Sequence, residues 1–269
     1  MGLIALAAAA TLLSSPVAYL QSRQLPDGGF AEPGGTSSPQ LTAWAAVGLR
    51  AAGAKPRPGT LAYLRAHEGE LANATDIELG AIAETVLGGQ PSRLLARIDG
   101  LRRPNGSIGA NVNSTIWGIL ALRQARRRAP AASVRYLLGR QVRSGGWSWS
   151  PGGQPDSNDT AAAIEALRAA GVGGAPIRRA VRYLRRLQNR DGGFELTPGR
   201  GSDAQSTAWA VQALASARAP VPSGAMRYLQ RLRRADGSFR YSVRYVTTPV
   251  WVTAQVLPAL ARRPLPLPL

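Results

Sequence analysis

The stretch YLRRLQNRDGGF, residues 183–194, decides how this chain folds. It ends an amphipathic helix in Asp-Gly-Gly, where Asp and Gly supply a positive-φ turn, and then returns with an aromatic to bury. The same phrase reads YLQSRQLPDGGF at 19–30 and YLLGRQVRSGGW at 136–147. A fourth copy, YLQRLRRADGSF at 228–239, has Arg233 in place of the glutamine, and YLRAHEGE (63–70) and LLARIDGLRRPNGSI (94–108) are degenerate copies.

A second phrase follows each turn and starts an apolar helix: LTAWAAVGL (41–49), DIELGAIAETVL (76–87), STIWGILAL (114–122), DTAAAIEAL (159–167), STAWAVQAL (206–214) and TPVWVTAQVL (248–257). Taking the residue two before the Trp-equivalent as reference gives Thr42, Ile77, Thr115, Thr160, Thr207 and Pro249, spaced by 35, 38, 45, 47 and 42. Six repeats of two helices then account for nearly every residue after the N-terminal segment, and the predicted fold class is all-α. Periodicity alone leaves a closed ring and an open solenoid both standing, because repeats of about 40–47 residues also describe HEAT and armadillo arrays.

With 269 residues, 45% of them hydrophobic, the chain can bury one large core or two small ones. It has no cysteine, which excludes disulfides, thiolate nucleophiles, thioesters and cysteine-ligated zinc. The 33 basic against 15 acidic residues give a net charge of +18. Such a charge attracts anionic surfaces, whether a membrane face, a wall polymer or nucleic acid. The arginines recur at helical spacing, however. In IRRAVRYLRRLQNR (177–190), Ile177, Ala180, Val181, Leu184 and Leu187 mark one face and Arg178, Arg182, Arg185 and Arg186 another. That is a solvated outer face, and without an aromatic-interleaved basic motif no specific nucleic-acid partner is expected.

The apolar run Leu3–Leu13 is too short to span a bilayer and is similar to the core of a signal peptide without its basic start. The expected organisation is a signal remnant over 1–14, one repeat domain over 15–261 and a proline-rich tail, RRPLPLPL, over 262–269. Export is the corresponding expectation for location.

The Tyr-Leu-x3-Gln-x3-Gly-x-aromatic segments and the Thr-Ala-Trp helices resemble the repeats of the prenyltransferase and squalene/terpene cyclase superfamily, from about Ser15 to Leu260. The resemblance implies an (α/α)6 toroid, with inner helices lining a centre and outer helices wrapping them. It also implies that the loops leading into the inner helices converge at one mouth. Relatives act as terpene cyclases, prenyltransferase subunits, corrinoid carriers and thioester domains, so the fold does not choose the function.

Class II cyclases of this superfamily protonate an alkene with a D-x-D-D motif followed by Thr-Ala. Asp156-Ser157-Asn158-Asp159-Thr160-Ala161 resembles that motif, except that Asn158 stands at the donor position, and an amide supplies no strong acid's proton. Zinc-dependent prenyl transfer lacks its ligands, the only histidine being His67 on an outer helix. Glycan cleavage needs two carboxylates across a cleft. The acids available at the mouth are Asp76, Glu78, Asp156, Asp159 and Asp203.

Asp156 and Asp203 stand where N-caps would, and Asp159 where a capping box places its second member. Trp44, Trp117, Trp209 and Trp251 recur at one position of four inner helices, as packing or as the lining of an apolar cavity. Glu165 and Gln212, at equivalent positions of two helices, are candidate polar groups of that cavity. With Asn158, Asn113, Gln205 and Glu78 these form the predicted ligand-binding set. Asp159, Asp203 and Asp156 are the catalytic candidates should the chain be an enzyme. No cofactor or metal is expected. The partner expected first is a small hydrophobic or isoprenoid ligand bound without chemistry, then an anionic surface.

Overall fold

The computed structural model describes residues 15–268; the predicted signal remnant lies outside them. Twelve helices follow in chain order. Helix α1 covers residues 15–22. Then come α2 (Pro39–Ala51), α3 (Thr60–Ala66), α4 (Ala74–Val86), α5 (Ser92–Gly100), α6 (Val112–Gln124), α7 (Ala131–Gly139), α8 (Ser157–Ala169), α9 (Ala175–Arg186), α10 (Ala204–Ser216), α11 (Ser223–Leu232) and α12 (Pro249–Ala261). The even-numbered helices are each 13 residues long and buried nearly all round. Helices α9 and α11 are strongly amphipathic, burying one stripe and leaving their arginines outside.

Each even helix packs on the next, and α12 packs on α2, so the inner helices close into a six-membered ring. The toroid is therefore closed, including through the degenerate second and third repeats.

The repeated phrase makes each corner. Asp191 Oδ1 accepts the Gly193 N–H at 2.9 Å, and Gly192 takes the turn at φ +89°. There an added Cβ would lie 2.5 Å from the Gly224 carbonyl oxygen, so glycine is required twice over. The residue that follows, aromatic in four repeats and Ile108 in a fifth, is fully buried, and its N–H donates to the threonine of the next inner helix. These bonds are Phe30 to Thr42 (2.8 Å), Ile108 to Thr115 (3.0 Å), Trp147 to Thr160 (2.9 Å), Phe194 to Thr207 (2.9 Å) and Phe239 to Thr253 (3.0 Å). The motif glutamine ties the turn to the following outer helix, as Gln141 Nε2 does to the Gly145 and Pro176 carbonyls at 2.9 Å. Before α10 the corner extends into a hairpin, β1 (Phe194–Glu195) antiparallel to β2 (Ser202–Asp203).

Part of the arginine excess has a local use. Arg23, Arg140, Arg186 and Arg231 lie 4.8–5.6 Å over the rings of Tyr19, Tyr136, Tyr183 and Tyr228, the motif tyrosines.

The threonine bonds correct one alignment. In the last repeat the clamp is Thr253, not Pro249, so the α12 register shifts by four residues. The residue level with Trp44, Trp117 and Trp209 is then Gln255, and Trp251 lies one helical turn closer to the helix N-termini.

Two contacts lock the first repeat onto the last. An added Cβ on Gly48 would lie 2.4 Å from the Ala254 carbonyl oxygen, which marks the closest approach of α2 to α12. Glu32 accepts the Val250 and Trp251 N–H groups at 2.9 Å each, capping α12, whose own cap position Thr248 makes no side-chain cap.

Candidate functional site

Measured from the threonine clamps, the residues two earlier are Gln40, Thr75, Asn113, Asn158, Gln205 and Trp251, all half-buried. They form the rim at the N-terminal end of the ring. The layer one turn deeper holds Trp44, Leu79, Trp117, Ala162, Trp209 and Gln255. Trp44, Trp117 and Trp209 come from alternate helices yet touch pairwise, edge to face, with centroids 5.5–6.1 Å apart. Three side chains from alternate members of a ring can meet that way only on its axis. They form the floor of a shallow bowl, about 6 Å below the rim at helical rise. Trp209 Nε1 donates to Gln255 Oε1 at 2.9 Å, which pins one indole in place.

Hydrogen bonds knit half of the rim. Thr75 Oγ1 donates to Asn113 Oδ1 at 2.9 Å, and Asn113 Nδ2 donates to Asp159 Oδ1 at 2.6 Å. Gln40 Nε2 reaches Asp76 Oδ2 at 3.2 Å. Asp156 caps α8 by accepting the Asp159 N–H at 2.8 Å. Asp203 caps α10, accepting the Ser206 N–H at 2.7 Å and its hydroxyl at 2.8 Å.

Asp159 is only 5% exposed. Burial first, then the charge and hydrogen bond of Asp156, push its carboxyl up to about 8. Burial raises Asp156 as well, against the hydrogen bonds it receives from Asp159. The two buried acids thus favour sharing one proton at neutral pH. With Asn113 on the other Asp159 oxygen, both ends of that acid are engaged within the protein.

The remaining predicted residues separate from the bowl. Glu78 is not at the mouth. It is fully buried in the seam between α4 and α6 beside Gly118, with neither carboxylate oxygen hydrogen-bonded, and burial raises it well above the carboxylate range. Glu165 and Gln212 lie below the indole floor. Glu165 accepts the Leu265 N–H at 2.8 Å, and Gln212 Nε2 donates to the Ala208 carbonyl at 3.2 Å. Trp147 fills the buried aromatic slot, its Nε1 donating to the Leu137 carbonyl at 2.7 Å.

Sequence reasoning reaches one residue of the lip, Trp149 in the long loop GGWSWSPGG, as a possible ligand contact, and misses the other three. Among the described residues the exposed large apolar side chains are Trp149, Val243, Tyr245 and Val246. All four sit on the loops that lead into α8 and α12, on two sides of the bowl. The Trp149 carbonyl accepts the Asn113 N–H at 3.1 Å, which fixes its loop against the rim. The opposite end of the ring carries a groove of about 770 Å³ lined by Arg50, Lys55, Arg57 and Arg126 with no carboxylate. Among the described residues no cluster of His, Cys, Asp and Glu could hold a metal ion.

Comparison with known proteins shows what the ring is similar to. Residues 113–245 match the family model of the prenyltransferase alpha-alpha toroid domain. No curated protein matches the sequence. Among solved structures, a single-residue variant of type II terpene cyclase MstE from Scytonema, in complex with its substrate geranylgeranyl dihydroxybenzoate, superposes with a TM-score of 0.71. It is 16% identical, over 94% of this chain and 97% of that one. Candida albicans protein geranylgeranyltransferase-I complexed with GGPP is 13% identical, over 82% of this chain and 83% of that one, with a TM-score of 0.61. An inactive α-1,6-mannanase variant from Salegentibacter, in complex with α-1,6-mannotriose, is 11% identical over 94% and 98%, with a TM-score of 0.68. At these identities the structures share the fold alone. With the repeats, the closed ring and the match over residues 113–245 in agreement, this chain folds as an alpha-alpha toroid whose central repeats match the prenyltransferase toroid domain.

Proposed function

We propose that the protein is a binding toroid whose bowl takes the polar end of a small, uncharged, mainly apolar ligand of the isoprenoid or lipid class, without chemistry. One observation carries this reading: Trp149, Val243, Tyr245 and Val246 stand exposed as a lip around a bowl with an indole floor. Apolar side chains gathered at one opening mark a place that something apolar covers. The rim supplies amides, a hydroxyl and an indole, which suit a hydroxyl or carbonyl group better than a charged one. The ligands of the superposed cyclase and transferase are consistent with this class.

The same geometry speaks against alkene protonation. A proton held by the Asp156–Asp159 pair is engaged between the two acids, and the rim position beside them is the amide of Asn158. A second reading, in which Asp159 serves as the acid in place of the missing donor, draws on the pair's retained proton at neutral pH. Native mass spectrometry with squalene, prenyl alcohols, polyprenyl phosphates and a lipid extract separates the two. A stoichiometric adduct of unchanged ligand, weakened by Trp44→Ala, is expected. An isomerised or altered ligand, lost in Asp159→Asn, would establish the enzyme instead.

A further inference from the structure

The segment after α12 does not trail into solvent. It starts beside α2 and α10, crosses the C-terminal opening of the ring and ends against α6, the helix diametrically opposite α12. Leu265 and Leu267 are 4% and 5% exposed and join the main core. Prolines at 264, 266 and 268 have no N–H, so Leu265 and Leu267 carry the segment's only backbone donors between Pro264 and Pro268. The ring takes both. The Leu265 N–H donates to Glu165 Oε2 at 2.8 Å and the Leu267 N–H to Gln124 Oε1 at 2.7 Å, while Gln124 Nε2 returns a bond to the Leu267 carbonyl at 2.9 Å.

Every polar contact here runs from a ring side chain to the segment's main chain, and every segment side chain is apolar. That is how a protein reads a peptide: main-chain groups for affinity and alternate side chains for specificity. The site also keeps an unused polar atom, since Glu165 Oε1 is buried and has no partner.

We propose that this end of the toroid is a recognition site for Leu-Pro-Leu segments, with residues 264–268 as its resident and exchangeable occupant, so that the same segment of a second copy of this chain fits it. Tethering gives the resident an effective concentration of about millimolar. A copy in trans therefore binds only when the resident has withdrawn.

The test uses the full chain with Leu265→Asp and Leu267→Asp, which evicts the resident by charging its two buried positions, and a fluorescein-labelled Pro-Leu-Pro-Leu-Pro peptide read by anisotropy. Saturable one-to-one binding to the evicted chain is expected, with the unaltered chain weaker by roughly ten-fold or more because its own segment competes. Adding Gln124→Leu, which removes two hydrogen bonds, should weaken binding by roughly ten-fold. A peptide with serine for leucine should not bind. If the evicted chain loses its helical circular dichroism, the segment is an inseparable part of the core and the proposal fails. It fails equally if the chain stays helical and ignores the peptide, or binds the serine peptide as well.

Discussion

Asp159 shows what one residue owes to its surroundings. In sequence it is the last acid of a motif without its donor. In the fold it is a buried carboxyl raised from 3.8 to about 8, held by Asn113, which lies 46 residues away in the chain. The capping role of Asp156 was legible, because an acid before Ser-Asn-Asp-Thr at a helix start has few other uses. That the pair keeps a proton was not, because that depends on a neighbouring helix. The consequence for stability has a definite sign. Between the two values the folded state binds the proton more tightly than the unfolded chain, so stability is fully present below about pH 4 and is lost as pH rises through about 8. Glu165, raised to about 8 by burial, acts in the same window. Asp159→Asn keeps an acceptor for Asn113 and offers an N–H to Asp156, with no charge to bury. Its melting temperature should fall less than that of the parent between about pH 5 and 9, by about 2 °C or more. Thermal scans across that range decide it, and parallel slopes would mean that Asp159 ionises without cost.

At the scale of elements, the inner helices were legible because most of them pair a cap residue with a threonine that clamps the preceding turn. Where the phrase decays, in the second repeat, Ile77 replaces the threonine and no clamp forms, yet the apolar run still places α4 in the ring. The misreading of α12 came from the same habit. Aligning Trp251 with the tryptophans of the Thr-x-Trp helices puts Pro249 in the threonine position, whereas the hydroxyl that bonds Phe239 belongs to Thr253. The cap of α12 was invisible because it comes from Glu32, 218 residues earlier. Glu32→Ala leaves the first turn of α12 uncapped and removes two charge-assisted bonds. It should cost about 1–2 kcal/mol in urea unfolding. Gly48→Ala should cost more than Glu32→Ala, because its methyl would lie 2.4 Å from a backbone oxygen and α2 must move off α12 to admit it. The reverse order would place the strength of the closure in the cap rather than in the seam.

For the molecule as a whole, the ring is closed and its axis is occupied, by three indoles from one end and by residues 264–268 from the other. The superfamily resemblance already implied the toroid. What filled its centre could not be read from the repeats, because a Trp on every second inner helix packs as a plug only once the ring has shut. Closure changes how the protein comes apart. An open array of the same repeats has two free ends, and its terminal units fray at low cost. Here the first and last inner helices bury as deeply as the middle ones, so opening either must break a seam equal to the rest. Hydrogen exchange should therefore show α2 and α12 amides as slow as those of α6 and α8, with one cooperative transition in urea. Combining Glu32→Ala with Gly48→Ala cuts the ring at one seam and should turn it into an open array. Exchange in α2 and α12 should then accelerate by roughly ten-fold or more, while α6 and α8 keep their protection. Uniform acceleration in all four helices would mean that the toroid opens as a single body, with no weakest seam to cut.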